Sequence, residues 1–437
     1  VDFDKDVAYK VGYFLPELLS ADKVLVGRDA RVSSDEIHEW LLKGITDAGA
    51  DVYDAGLCTT PMVYFGTAFY GFKASVQITA SHNPAEYNGM KVSRENALPV
   101  GYDTGLGQIK EWIEAGRECP VAEKRGEVHQ IDVRKDYLPF LLKYKEDWSG
   151  LKIAMDVSNG MASLFVHEIF GDEPAYIYDN MDGTFPNHEP NPLVPKNVVD
   201  LQKLVAATKA DIGIIFDGDA DRVMFVDENS RFISPDLMIA VLGHYFLEER
   251  GEKGYIHQDI RSSKAVGEYL APMGGVMNTW RVGRAYAALK LRELDGVYGG
   301  ELAGHYYFRD FFYSDSGLLA AILIVNVAAK MKAQGVSLSQ LIGRIEKYQN
   351  SGEINFRLED KKGAMDAVRD YFMQKEKSTA YMDFDGYRVE FPDWWFNIRP
   401  SNTEPYLRFI CEATSKELLD EKVAKVREIL TDQFGAK

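Results

Sequence analysis

Three times along this chain of 437 residues, a short apolar run ends in a polar turn that opens into a helix-like stretch. The instances are Lys23–Val26 into Gly27–Arg28–Asp29, Leu151–Met155 into Asp156–Val157–Ser158–Asn159–Gly160, and Gly254–His257 into Asp259–Ile260–Arg261–Ser262–Ser263. Each is followed further on by a second unit of strand, polar loop and strand: Ala74–Val92 around Ser81, Asp211–Val226 around Asp217, and Gly296–Phe308 around Glu301. Strands that alternate with helices build layered α/β domains. The recurrence predicts three related α/β domains with mixed sheets, each presenting one polar loop.

The C-terminal part reads differently. Tyr387–Phe391, Trp394–Ile398 and Tyr406–Cys411 have strand character, and Thr414 with Glu417 forms a candidate capping box. Leu418, Leu419, Val423, Val426, Ile429 and Leu430 then recur at helical spacing. This predicts a small α+β domain. Charged and glycine-containing breaks set the expected boundaries at 1–132, 133–250, 251–352 and 353–437. A central cleft among the four is expected to hold the site. A chain of this length exceeds what one core fills, which agrees with several domains.

The net charge is −17. A nucleic-acid binder would carry a basic face, so that role is excluded as an expectation. Small anionic substrates need only a local arginine cluster. The longest apolar run, Leu318 to Ala329, is interrupted by Asn326 and is too short to span a bilayer. No membrane partner is expected. Cys58, Cys119 and Cys411 lie far apart, are odd in number and have no metal-ligand spacing. Reduced thiols and a cytoplasmic location follow as expectations.

Four loops carry chemistry. In Ile78–Thr79–Ala80–Ser81–His82–Asn83–Pro84 a hydroxyl sits at a strand end, on a turn that Asn83–Pro84 forces, with His82 beside it and Lys91 on the returning strand. A serine oxygen needs activation, or a group already loaded onto it, to act as a nucleophile. In Phe216–Asp217–Gly218–Asp219–Ala220–Asp221–Arg222, three carboxylates alternate in a tight loop between apolar strands. They repel one another unless a cation holds them, and hard oxygen donors select magnesium or calcium. No bidentate glutamate closes a twelve-residue calcium loop, so magnesium acting with a phosphate is the better reading. In Gly299–Gly300–Glu301–Leu302–Ala303–Gly304–His305, Glu301 can accept two sugar hydroxyls and His305 can move a proton. In Arg399–Pro400–Ser401–Asn402–Thr403–Glu404–Pro405, with Arg408 behind it, hydroxyls, an amide and guanidiniums suit a phosphate. Together the four describe phosphoryl transfer to and from a phosphorylated sugar.

In the order of these motifs the chain resembles the α-D-phosphohexomutases, through Thr79–Pro84, Pro186–Leu193, Asp217–Arg222, Gly300–His305 and Arg399–Pro405. Gly300–Asp310 followed by Asp315–Ser316–Gly317 is similar to the bacterial and archaeal phosphomannomutase/phosphoglucomutase branch. The resemblance implies that Ser81 carries a phosphoryl group and that magnesium is held by Asp217, Asp219, Asp221 and an oxygen on Ser81. It implies that Glu301 reads sugar hydroxyls and that Arg399, Ser401, Asn402, Thr403 and Arg408 hold the distal phosphate. A hexose 1,6-bisphosphate would form, turn around and return its other phosphate to Ser81. Arg222 would offset developing charge, and His82, Lys91, Arg261 and His305 are the acid/base candidates. A lysine base would have to lose basicity, which clustered cations could cause.

The chain departs from the family at Ala303, where a serine is frequent, and at Arg284, where a histidine is frequent; Arg284 could add a phosphate contact. It shows no counterpart of the family's early Tyr-Asp-Ile-Arg-Gly stretch and starts just after that point. The expected activity is interconversion of hexose 6-phosphate and hexose 1-phosphate, with mannose and glucose favoured, by a monomer or homodimer. The alternatives are phosphoglucosamine mutase, a magnesium-dependent sugar-phosphate phosphatase, and a silent sugar-phosphate binder.

Overall fold

The computed structural model describes residues 4–401 and 405–437. The three expected repeats are three sheets of the same plan. In the first, the strand order is Met90–Arg94, Ala74–Ile78, Lys23–Arg28, Asp51–Leu57, Val128–Gln130. Lys23–Arg28 runs parallel to both neighbours, whereas Met90–Arg94 returns antiparallel to Ala74–Ile78. The second sheet repeats this: Ile153–Asp156 is parallel to Ala175–Ile177 and Ile212–Phe216, and Val223–Asp227 returns antiparallel. The third has Gly254–Asp259 parallel to Gly275–Trp280 and Tyr298–Gly300, with Tyr306–Phe308 antiparallel. In all three, the polar loop joins the last parallel strand to its antiparallel return. Crossover helices cover both faces of the parallel strands, which is why Ile-Gly-Ile-Ile-Phe at 212–216 is buried throughout rather than alternating.

The fourth sheet is antiparallel. Its order is Gln349–Asn350, Tyr406–Ala413, Trp394–Pro400, Tyr387–Glu390, Ala380–Met382, and Ile354–Arg357 pairs with Tyr406–Ala413. Helices Lys361–Lys375 and Lys416–Phe434 accompany it. The latter is capped by Ser415, whose side chain accepts from the Leu418 amide, and not by Thr414. Ser415 has the extended backbone an N-cap needs, and sequence pattern alone does not tell two adjacent hydroxyls apart. A second difference is smaller. Behind Asp156–Gly160 there is only a 3-10 turn, Met161–Leu164, and a five-residue helix.

The apolar run at 318–329 is the middle of helix Gly317–Ala333, which is apolar on every side and buried in the main core. Its one polar interior residue is used: Asn326 accepts from Trp148 Nε1 at 2.6 Å and donates to the Tyr144 carbonyl at 2.7 Å. No single helix among the described residues is long and apolar enough to cross a membrane. The three cysteines are free thiols, with Cys58 and Cys411 buried.

The fourth unit docks on the turn 260–263 of the third. Arg388 stacks on Trp395 and donates to the carbonyls of Ile260 and Ser262. Glu412 accepts from Ser263 Oγ at 2.7 Å, Trp395 Nε1 at 2.8 Å and Asn350 Nδ2 at 2.9 Å. Burial, and then the nearby Asp236, push the Glu412 carboxyl up to about 7 against these hydrogen bonds. A raised carboxyl supports docking fully below its ordinary value near 4.5, and the support is lost as pH rises through about 7. Amide exchange in the 260–263 turn, corrected for its intrinsic base catalysis, is therefore expected to accelerate between about pH 4.5 and 7, and Glu412→Gln is expected to remove that excess. An unchanged pH profile in the variant would show that Glu412 does not govern the docking.

Candidate active site

Ser81 follows the strand Ala74–Ile78 and lies in the left-handed region at φ +52°, unusual for a residue with a side chain. Its amide donates to Thr79 Oγ1 at 2.9 Å, and its hydroxyl donates to Asp217 Oδ2 at 2.8 Å. His82 Nδ1 is 3.3 Å from that hydroxyl. Burial, helped by Arg222 and Lys91, lowers His82 to about 3, so its imidazole is neutral.

The hairpin between Phe216 and Val223 projects Asp217, Asp219 and Asp221 to one point, all three fully buried. One carboxylate oxygen from each lies within 4.8 Å of the others. Burial, then Asp219 and Asp221, drive Asp217 well above the carboxylate range. Lys91 reaches in from the neighbouring hairpin and donates to Asp219 Oδ2 at 2.7 Å and to Asp221. The lowered basicity considered for Lys91 is not what this setting produces. Burial works against the ammonium, but its neighbours are carboxylates, and they hold it well above its ordinary value. Among the described residues, Asp219 Oδ1 and Asp221 Oδ1 are buried without a hydrogen-bond partner. Converging hard oxygens, two of them orphaned, beside a cation already drawn among them fit a small divalent ion. Arg222 flanks the cluster, with Nε 3.7 Å from Asp217 Oδ2 and 4.0 Å from Asp221 Oδ1.

The third loop is stitched to this one. Arg222 and His305 form an antiparallel bridge, and the Val223 amide donates to the Gly304 carbonyl at 3.2 Å. His305 Nδ1 lies 2.7 Å from Asp315 Oδ2 and 3.8 Å from Asp221 Oδ1. Glu301 is buried and accepts from the Gly283 amide at 2.8 Å; burial raises it against the pull of His305. Ala303 is half-buried at the hairpin tip. Arg261 is clasped by Asp259 through Nε and Nη2, at 3.0 and 2.9 Å.

On the fourth unit, Arg399 and Arg408 are direct cross-strand partners. Arg399 donates to Asp385 at 3.2 Å and Arg408 pairs with Glu353 at 3.1 Å. Arg261 approaches the same Glu353 at 3.8 Å. Burial and then Arg261 lower Arg399, the response of a cation crowded by another cation. Ser401 is at the end of this strand; Asn402 and Thr403 lie outside the described residues. Two groupings result: Ser81, His82, Lys91, the three aspartates, Arg222 and His305 form one, and Arg261, Arg399 and Arg408 the other, with Glu301 on the hairpin that links them.

Arg284 borders the first grouping through Asp315, which it shares with His305. It donates to Asp315 Oδ1 at 2.9 Å and to the Ala97 carbonyl at 3.2 Å, and it lies 3.6 Å from the Tyr64 ring centre. Its guanidinium ties the third unit to the first.

Several partners escape sequence reasoning because nothing local marks them. Thr60 bonds Asp219 through both its hydroxyl and its amide, across 159 positions. Asp315, Asp385 and Glu353 orient site cations. Arg31 holds the Ser81 loop. The motif Pro186–Leu193 backs the acidic loop: His188 reaches Asp156 at 3.0 Å, and a Cβ on Gly218 would sit 3.3 Å from Pro190.

Comparison with known proteins agrees with this arrangement of three like domains and a distinct fourth. The phosphoglucomutase/phosphomannomutase family matches in four consecutive pieces: α/β/α domain I at 1–118, domain II at 135–230, domain III at 234–348 and the C-terminal domain at 353–429. The chain belongs to this family, the α-D-phosphohexomutases. It is 36% identical to a phosphomannomutase of Salmonella montevideo, covering 98% of this chain and 95% of that one. It is 33% identical to a phosphomannomutase of Methanocaldococcus jannaschii, covering 98% and 94%. A crystal structure of a phosphoglucomutase/phosphomannomutase family protein from Burkholderia thailandensis superposes with a TM-score of 0.86 at 29% identity, over 98% of this chain and 94% of that one.

Proposed function

We propose that this phosphohexomutase interconverts the 6-phosphate and 1-phosphate of mannose or glucose, through a phosphorylated Ser81 and a hexose 1,6-bisphosphate. The observation that carries the reading is the Ser81 hydroxyl placed 2.8 Å from a carboxylate in a buried cluster of three. A serine needs no such cluster to be a turn residue, and a silent sugar-phosphate binder needs neither. Asp217, Asp219, Asp221 and an oxygen on Ser81 would hold magnesium, which when bound draws negative charge from the transferring phosphoryl group. Arg222 adds a fixed positive charge beside the same carboxylates. Glu301 offers a buried acceptor for two adjacent sugar hydroxyls. Arg399, Ser401, Asn402, Thr403 and Arg408 would clamp whichever phosphate is not reacting, with Arg261 beside them. Because phosphates occupy both ends of the bisphosphate, the clamp and the Ser81 loop can exchange which end each holds. His82 and His305 are the candidate proton carriers: His82 Nδ1 stands 3.3 Å from Ser81 Oγ, and burial leaves it neutral but weakly basic. The four functional units are taken as 1–132, 133–250, 251–352 and 353–437.

Phosphorus NMR of the enzyme with magnesium, a trace of glucose 1,6-bisphosphate and a single hexose 1-phosphate tests this reading. A growing 6-phosphate resonance with mannose or glucose is expected. Turnover of glucosamine 1-phosphate alone would move the substrate to the amino sugar, and inorganic phosphate without isomerisation would make the enzyme a phosphatase.

Arg399→Ala is expected to raise KM by roughly 10- to 100-fold with kcat changed far less, since its contact is made in ground and transition states alike. Steady-state kinetics decide; a pure kcat loss would place Arg399 on the transferring phosphoryl group.

A further inference from the structure

Arg31 sits in the turn after the first strand, and its side chain is fully shielded from solvent. It uses all five of its guanidinium N–H donors. Nε donates to Asp29 at 3.1 Å. Nη1 donates to the carbonyls of Pro84 at 2.7 Å and Tyr87 at 3.0 Å. Nη2 donates to the carbonyls of Ser81 at 2.9 Å and Asn83 at 2.7 Å. Four of the five acceptors are backbone carbonyls of the Ser81 loop. The loop's other backbone bonds are the local turns Asn83 to Ala80 and Tyr87 to Pro84 and the bond Thr79 to Gly89 at its base. Its side-chain anchors are Ser81 Oγ on Asp217 and Asn88 on Ser33 and Ser34, so Arg31 supplies four of the bonds that reach its carbonyls. A non-glycine residue at φ +52° is strained and persists only where its surroundings over-determine it.

The second unit completes the clamp. The Phe185 ring lies 5.0 Å from the Arg31 guanidinium. Gly183 comes so near that a Cβ would stand 1.9 Å from the Ala30 carbonyl, and one on Gly218 would stand 2.5 Å from the Ser81 carbonyl. The Ser81 carbonyl is thus trapped between Arg31 and the acidic hairpin, with Oγ aimed at Asp217.

The geometry points to Arg31 as a positioning residue for phosphoryl transfer, a template that keeps Ser81 Oγ in one place while the phosphoryl group leaves and returns. The inference rests on the mutase reading above. In the return step Oγ bonds phosphorus and gives up its proton, while the sugar oxygen that leaves takes one up. Both directions of the cycle need the same Oγ position, and a displacement near 1 Å can cost about 100-fold in rate. Among the described residues Arg31 has no hydrogen bond or ion pair with the sugar- or phosphate-reading groups, so its loss should spare binding.

The test combines kinetics with intact-protein mass spectrometry of Ser81 phosphorylation from glucose 1,6-bisphosphate. Arg31→Lys replaces a planar fork by a point charge that cannot serve four carbonyls. It is expected to lower kcat about 100-fold, with KM for the hexose phosphate within about threefold of wild type, and to slow phosphoryl uptake by a similar factor. Phe185→Leu removes the ring but none of the hydrogen bonds. It is the milder variant should Arg31→Lys fail to fold, and it is expected to lower kcat several-fold at unchanged KM. Unchanged kcat and uptake in the folded variants, or a loss confined to KM, would overturn the role of Arg31 and leave the mutase reading standing. A wild-type enzyme that takes up no phosphoryl group would overturn both.

Discussion

Ser81→Ala is expected to reduce kcat by on the order of 10⁴-fold or more while the protein stays folded. In the proposed mechanism the change removes the nucleophilic oxygen itself, so no rearrangement of neighbours can restore the covalent route. The structural cost is small by comparison. The Ser81 carbonyl keeps its bond from Arg31 and its amide keeps Thr79. Asp217 loses the hydroxyl at Oδ2 but still accepts from the Arg222 amide at 3.2 Å. One hydrogen bond of this kind contributes about 1 kcal/mol, so thermal unfolding should move by only a few degrees. Turnover close to wild type would remove Ser81 from the reaction.

Asp219→Asn should separate the cation from the rest of the machinery. Asp219 sits where three elements meet: its own hairpin, Thr60 from the first unit and Lys91 from the neighbouring hairpin. The substitution keeps shape and a carbonyl oxygen but removes one of three negative charges. The magnesium concentration for half-maximal activity is expected to rise by roughly 100-fold, and kcat at saturating metal to fall by about 10²- to 10³-fold. Calorimetric titration with magnesium alone reads the first effect without substrate. An unchanged titration would place the ion elsewhere, for which Asp221, His305 and Asp315 offer the other converging set.

The three hairpin loops were legible because each is bounded by strands whose apolar runs are local: Ala74–Ile78 and Met90–Arg94, Ile212–Phe216 and Val223–Asp227, Tyr298–Gly300 and Tyr306–Phe308. The acidic loop was legible as a candidate cation site because like charges at alternate positions of a tight turn demand compensation wherever the turn is placed. Ser415 was missed in favour of Thr414 because capping depends on backbone angles, which adjacent hydroxyls do not reveal. The state of Lys91 was open for a deeper reason. A lysine among cations loses basicity, one among carboxylates gains it, and which neighbours it has depends on two hairpins from different units coming together.

By itself, then, the sequence determined the local elements, their threefold recurrence, the chemistry each loop offers and membership of the family. Those properties reside in residue types a few positions apart, where strand alternation, turn preference and charge repulsion act. Only the tertiary structure decided who faces whom. Arg31 meets carbonyls some fifty positions away, Thr60 meets Asp219, Arg284 binds Asp315 and Ala97, and Arg261 crowds Arg399. Hydrogen bonds act over about 3 Å and charge pairs over little more, so such partnerships depend on distance in space and leave no mark on distance along the chain.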